Sequence, residues 1–187
     1  MTRSIALLDL RRFLVTPGFW VIAAFLQFSL AWLLFVYLDR FRALNPSLGD
    51  GQTQRGVTDL VATPVLLDAT TLLMLVAPLL AMRSFSEERK SGSLVLLLAS
   101  PVRTAQIVTG KILALMIVLL VPALLTLALV ISLSLGTDLD WGKIASGFTG
   151  LVLTLTLAAS AGAWISALTR HPPVAAALQY ALFLMLW

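Results

Sequence analysis

An all-α, polytopic membrane helix bundle is the fold class the sequence predicts, and three observations predict it. Hydrophobic residues make up 59% of the 187 positions and charged residues 12%, more apolar surface than a soluble domain of this length can hide. The apolar residues gather into runs of about 20, the length a helix needs to cross a hydrocarbon core of roughly 30 Å. Lys and Arg fall between these runs with a bias to one side. A single transmembrane domain over residues 1–187 follows.

The first element precedes the first run. In "TRSIALLDLRRFL" a helical wheel places Ala6, Leu7, Leu10, Phe13 and Leu14 on one arc, with Ser4, Asp9, Arg11 and Arg12 largely opposite, while Ile5 and Leu8 blur the pattern. This predicts an interfacial helix over 2–15 in the inner headgroup layer, where Arg3, Arg11 and Arg12 anchor it to lipid phosphates. A frayed N-terminal tail is the alternative. "TPG" at 16–18 closes the helix and turns the chain into the membrane.

The first span, 19–38, holds no charge and carries Trp and Tyr near its ends, where amphipathic rings prefer the interface. It is too long for a signal-peptide core and ends in "YLDRF" instead of a small-residue cleavage site, so it is retained. Its polar residues Gln27 and Ser29 are expected to make interhelical hydrogen bonds, Gln27 being the candidate polar site. Residues 39–63 read as an outer loop containing "NPSLGDGQTQRG".

Thr63 and Pro64 form a helix start, a hydroxyl cap before a proline in the first turn, and predict a second span over 64–82. Its one charge, Asp68, is an intramembrane carboxylate about one turn in, near the positive end of the helix dipole. It reads as an interfacial structural group, with substrate or partner contact the alternative. The third span, 112–135, contains Pro122, expected to kink it. The fourth, 144–168, pairs Ser146 with Gly150 and Ala158 with Gly162, small residues four apart that let helices approach closely. The fifth, 173–187, stops after some 15 residues, roughly 22 Å of helix. The natural chain is therefore expected to complete this helix and add at least one more span.

With the N-terminus inside, nine basic residues lie on the inner side (Arg3, Arg11, Arg12, Arg83, Arg89, Lys90, Arg103, Lys111, Arg170) and four outside (Arg40, Arg42, Arg55, Lys143). That bias sets the N-terminus in the cytoplasm and accounts for the net charge of +4 without a nucleic-acid partner. Cysteine is absent, which excludes disulfides and thiol catalysis. The lone His171 in "RHPP" has no second His or nearby acid to form a metal site and reads as a connector. No phosphate loop occurs: Gly110 and Lys111 are followed by Ile112, and Ala105 stands where the first glycine belongs.

Residues 84–103, "SFSEERKSGSLVLLLASPVR", set charge and glycine beside an aliphatic run between two spans. Arg83 pairs with Glu87, and Glu87 with Lys90, at helical spacing, so the second helix continues into the cytoplasm until Ser91 and Gly92 break it. Ser93 caps a short helix, "LVLLLA", closed by Ser100 and Pro101. It is aliphatic on nearly every face yet flanked by charge, so either lipid or a groove on a partner must cover it.

"FSEERKSGSLVLLLASPVRTAQIVTGKILA", Phe85 to Ala114, resembles the segment between the second and third membrane helices of ABC-2 type transporter permeases: acidic-acidic-basic, then Gly-Thr-Leu-Glu-Leu-Leu-Leu, Ser-Pro-Val and Gly-Lys. The likeness is closest to the gliding-motility-associated and copper-site maturation permeases. It implies a type V exporter-like permease fold of six spans and a bacterial inner-membrane subunit that is not itself an enzyme. It further implies that 84–103 is a coupling segment docking on a separate ABC ATP-binding subunit, with ATP and Mg bound there and no cofactor on this chain. By the same resemblance Glu87, Glu88, Arg89, Lys90, Gly92, Ser93, Leu94, Val95, Leu96, Leu97, Leu98 and Pro101 make or position that contact, and a second permease copy or paralogue completes a dimer. Ser93 replaces the family's usual Thr and Val95 its usual Glu, so this contact leans on leucine burial. The expected function is to couple ATP hydrolysis to transport; the alternatives are an ATP-driven mechanotransmitter acting on an extracytoplasmic accessory protein, or a protein unrelated to ATP whose short helix lies on the lipid bilayer.

Overall fold

The computed structural model of the chain describes residues 2–44, 56–91, 104–169 and 171–186, and among these the chain is helical with no strand. Helix α1 spans Thr2–Val15 and α2 Pro17–Leu44; a π-helical turn at Thr58–Ala62 leads into α3, Thr63–Ser91. Helix α4 covers Thr104–Ile131 and continues as a 3-10 turn at Ser132–Leu135; α5 is Trp141–Leu168 and α6 Pro172–Leu186. Four of these helices are long and apolar enough to cross a membrane, and α6 adds a shorter apolar one.

Continuous apolar sequence makes these helices the only open-chain way to satisfy every backbone group in lipid. Their hydroxyls bond back into their own turns: Ser29 donates to the Phe25 carbonyl, Thr70 to Leu66, Thr154 to Gly150 and Ser160 to Thr156. Ser29 therefore makes no interhelical bond, contrary to expectation, because its own i−4 carbonyl is within reach.

Thr63 opens α3 as expected, but its hydroxyl does not cap the helix. Its backbone N–H and its hydroxyl both reach the carbonyl of Thr58, and the helical path begins upstream. Pro64 has no N–H and its ring crowds a regular preceding turn; the wider π turn accommodates it. The loop expected over 39–63 is shorter as well, since α2 runs on to Leu44. Asp39 and Arg42 pair across one turn at 4.0 Å, and the sequence carries no helix breaker before Pro46. Helix α4 starts at Thr104, two turns ahead of the expected span. Helix α4 continues unbroken through Pro122, where the Thr126 hydroxyl donates to the proline carbonyl at 2.9 Å, and α3 continues through Pro78.

The main core joins Leu26 and Leu30 of α2, Leu73 and Ala77 of α3, Leu115 and Leu119 of α4, and Leu151 and Leu155 of α5. A second cluster, at the end of the bundle that holds the π turn, gathers Leu34, Val61, Val65, Val130 and Ile144. Gly162 is where α3 and α5 meet most closely: a Cβ there would lie 2.4 Å from that of Ala81. The Ala158/Gly162 pair thus serves close packing as expected. The Ser146/Gly150 pair does not, because both residues are exposed and nothing lies within 4 Å of a Cβ at Gly150.

Candidate functional site

The segment expected to carry function hangs between α3 and α4. Nine residues of α3, Arg83 to Ser91, continue the helix past the predicted span end at Met82, about 13 Å of added rod. Glu87, Glu88, Arg89 and Lys90 therefore sit on continuous helix, as the i,i+3 and i,i+4 charge pairs predict. Gly92, Ser93, Leu94, Val95, Leu96, Leu97, Leu98 and Pro101, with the expected short helix, lie outside the described residues, as do the side chains of Arg3 and Arg12.

Beside the root of this segment α1 packs against α4. Leu10, Phe13 and Leu14 turn onto the main core, whereas Leu7, Leu8 and Arg11 face outward. Asp9, expected on the solvated arc with the arginines, is instead buried. Its carboxylate accepts from Lys111 Nζ at 3.1 Å, with the lysine side chain 2% exposed and the aspartate side chain 12%. The physical reason is pairing: a charge leaves water only where an opposite charge meets it, and α4 carries Lys111 at that height. Lys111, read from sequence as a basic residue at the membrane edge, is thus one of the largest fully enclosed side chains.

The corner between α1 and α2 is one residue long. Pro17 disfavours helix at Thr16 and is preorganised for the first turn of α2. Across it Trp20 Nε1 donates to the Leu14 carbonyl at 2.7 Å, and Phe19 packs edge-on against Trp20.

Of the two intramembrane polar candidates, Asp68 is half-buried and accepts a hydrogen bond from Tyr37 Oη at 2.7 Å, which ties α3 to α2. Gln27 departs from expectation: its Oε1 is buried without a hydrogen-bond partner. Sequence reading missed Gln179 and Tyr180, which bridge α6 to its neighbours. Gln179 Nε2 donates to the Ala158 carbonyl at 2.9 Å and Tyr180 Oη to the Leu75 carbonyl at 2.6 Å. Lone polar residues in an apolar run were the available signal.

At the end of the bundle that holds the π turn, Asp140 caps α5 by accepting from the N–H groups of Gly142 and Lys143. Its own N–H donates to Thr58 Oγ1, and Lys143 bridges to Asp59 at 2.7 Å. The π turn is thereby fastened to the start of α5.

A family model described as ABC-2 family transporter protein matches residues 3–187. No curated protein matches the chain.

Proposed function

The chain belongs to the ABC-2 family of transporter proteins, a family of membrane permease subunits, and we propose that it couples ATP hydrolysis by a separate ABC ATP-binding subunit to transport across a bacterial inner membrane. In this reading the N-terminus is cytoplasmic, residues 84–103 dock on the ATPase, ATP and Mg bind there, and two permease chains form the pathway. The likeness of Phe85 to Ala114 to the gliding-motility-associated and copper-site maturation permeases supports a position near that subgroup.

One observation carries the proposal. Helix α3 extends beyond the membrane run to Ser91 and α4 resumes at Thr104, so the twelve residues between them are anchored at both ends to rods that continue into spans. A displacement of those residues tilts α3 and α4 directly. Because Val95 replaces a family glutamate, burial of Leu94 and Leu96 to Leu98 supplies the hold, at roughly 1.5–3 kcal/mol per leucine buried.

Co-purification tests it. Expressed with the ATP-binding subunit of its own gene cluster, the protein retains that subunit, and Leu96→Asp releases it. An intact complex with Leu96→Asp sinks the docking assignment.

A second reading, mechanical transmission to an extracytoplasmic accessory protein, is favoured by the outer fastening of Thr58 and Asp59 to Asp140 and Lys143, which gives the outer face a fixed shape. ATP-driven solute movement in vesicles lacking any outer protein would exclude it.

A further inference from the structure

Helix α1 has two attachments of unequal kind. To α2 it is joined across the single residue Thr16, whose carbonyl accepts from the Phe19 N–H, and by the exposed Trp20–Leu14 hydrogen bond. Leu10, Phe13 and Leu14 pack on the core to which α2 gives Phe19 and Leu26 and α4 gives Leu115, Val118 and Leu119, and the enclosed Asp9–Lys111 ion pair joins α1 to α4. An ion pair in a low-dielectric setting resists separation, because parting it strands two charges away from water. It is also directional, fixing the rotation and height of α1 in a way that leucine packing alone does not.

We propose that Asp9 and Lys111 are positioning residues that fasten α1 to the inner end of α4, making α1 the strut by which movement of α4 reaches α2. The proposal rests on the permease reading above. Lys111 lies two turns inside Thr104, where α4 emerges from the segment assigned to ATPase docking. A tilt of α4 therefore carries Asp9 with it. Since α1 meets α2 across one residue, α2 is drawn along at its inner end. Without the pair, α1 loses the buried polar contact that fixes its register on α4.

The chain has no cysteine, so introduced cysteines carry the label with no native thiol of this chain competing, and dilution with unlabelled permease and a cysteine-free ATPase keeps the distances within one chain. Two label pairs at exposed positions follow the two joints: Leu8→Cys with Val108→Cys reads α1 against α4, and Val21→Cys with Trp164→Cys reads α2 against α5. Distances are measured on the complex with its ATPase in nanodiscs, without nucleotide and with ATP on a hydrolysis-blocked ATPase. The expected result is an unchanged Leu8–Val108 distance and a shifted Val21–Trp164 distance on adding ATP. With Asp9→Asn, and separately with Lys111→Met, the Leu8–Val108 distribution broadens and the Val21–Trp164 shift is lost, although the ATPase is still retained. The reversed pair Asp9→Lys with Lys111→Asp restores both.

A Leu8–Val108 distance that changes with ATP in the unaltered pair overturns the proposal. So does a Val21–Trp164 shift that is absent there or survives Asp9→Asn and Lys111→Met, the latter being what a merely stabilising ion pair would give. If the unaltered protein fails to retain its ATPase, the permease reading falls separately. The nucleotide-free Leu8–Val108 distribution then decides the fastening alone: broadening with Asp9→Asn and recovery on reversal support it, and no change overturns it.

Discussion

Replacing Gly162 with alanine tests how closely α3 and α5 approach. The added Cβ would stand 2.4 Å from Ala81 Cβ and 2.8 and 2.9 Å from the Gln179 amide. Carbon pairs prefer about 3.5–4.0 Å, so the two helices must part by about 1 Å, since Ala81 has no flexible end to swing away. Overpacking of this kind costs about 1–3 kcal/mol. Displacing the Gln179 amide from the Ala158 carbonyl adds about 0.6–1.7 kcal/mol on the scale of membrane hydrogen bonds. Alanine's better helix propensity returns about 1 kcal/mol, leaving a net loss of about 1–4 kcal/mol. Gly150→Ala, on the same helix with nothing within 4 Å, gains up to about 1 kcal/mol from propensity alone. Unfolding of detergent-solubilised protein, followed by tryptophan fluorescence, reads both. Ala81→Gly combined with Gly162→Ala recovers part of the loss. Equal stability of the Gly162→Ala and Gly150→Ala variants would refute the close approach and the difference between the two small-residue pairs.

The same unfolding assay reads three further changes. Tyr37→Phe removes the donor to half-buried Asp68 and costs about 1–3 kcal/mol, the penalty of a polar group left unmet. Gln27→Leu has the opposite sign, neutral to stabilising, because the Oε1 it removes has no partner to lose. Asp140→Ala uncaps α5 at Gly142 and Lys143 and costs about 1 kcal/mol.

The spans were legible because in lipid the backbone leaves an apolar run one open-chain solution. Their ends were less so. Hydrophobicity marks where a helix enters lipid, but hydrogen bonding marks where the helix stops, and α2, α3 and α4 all outrun their apolar stretches. Asp9 was placed on the solvated arc because a wheel records one helix at a time; the cation that draws it inward lies 102 positions away. Ser146/Gly150 and Ala158/Gly162 have the same spacing, yet only the second pair meets another helix. Which face of α5 turns inward is decided by Ala81 and Gln179 on other helices, and no local pattern contains that information. Of residues 84–103, the sequence predicts continuous helix to Ser91, and α3 is helical through that residue.

Inside a bilayer apolar helices have no hydrophobic reason to prefer one another over lipid, so close contacts and polar pins decide which pairs hold. These are unevenly distributed among the described residues. Helix α3 is pinned along its length: Thr58 and Asp59 of its leading π turn bind the start of α5, Tyr180 reaches the Leu75 carbonyl, Gly162 admits Ala81, and Ser166 Oγ donates to the Met82 carbonyl at 3.4 Å. The last of these sits at the root of the extension that carries residues 83–91. Helix α2 is pinned to α3 through Tyr37 and Asp68, and 22% of its apolar window is buried against 44% in each of the other three spans. Its outward face presents Val21, Phe25, Phe28, Trp32 and Phe35. A displacement of α3 therefore engages α5 and α6 with it. Helix α2 meets that body through Tyr37 and Asp68 toward one end and through Phe19 and Leu26 in the main core toward the other, where the one-residue corner at Thr16 joins it to α1.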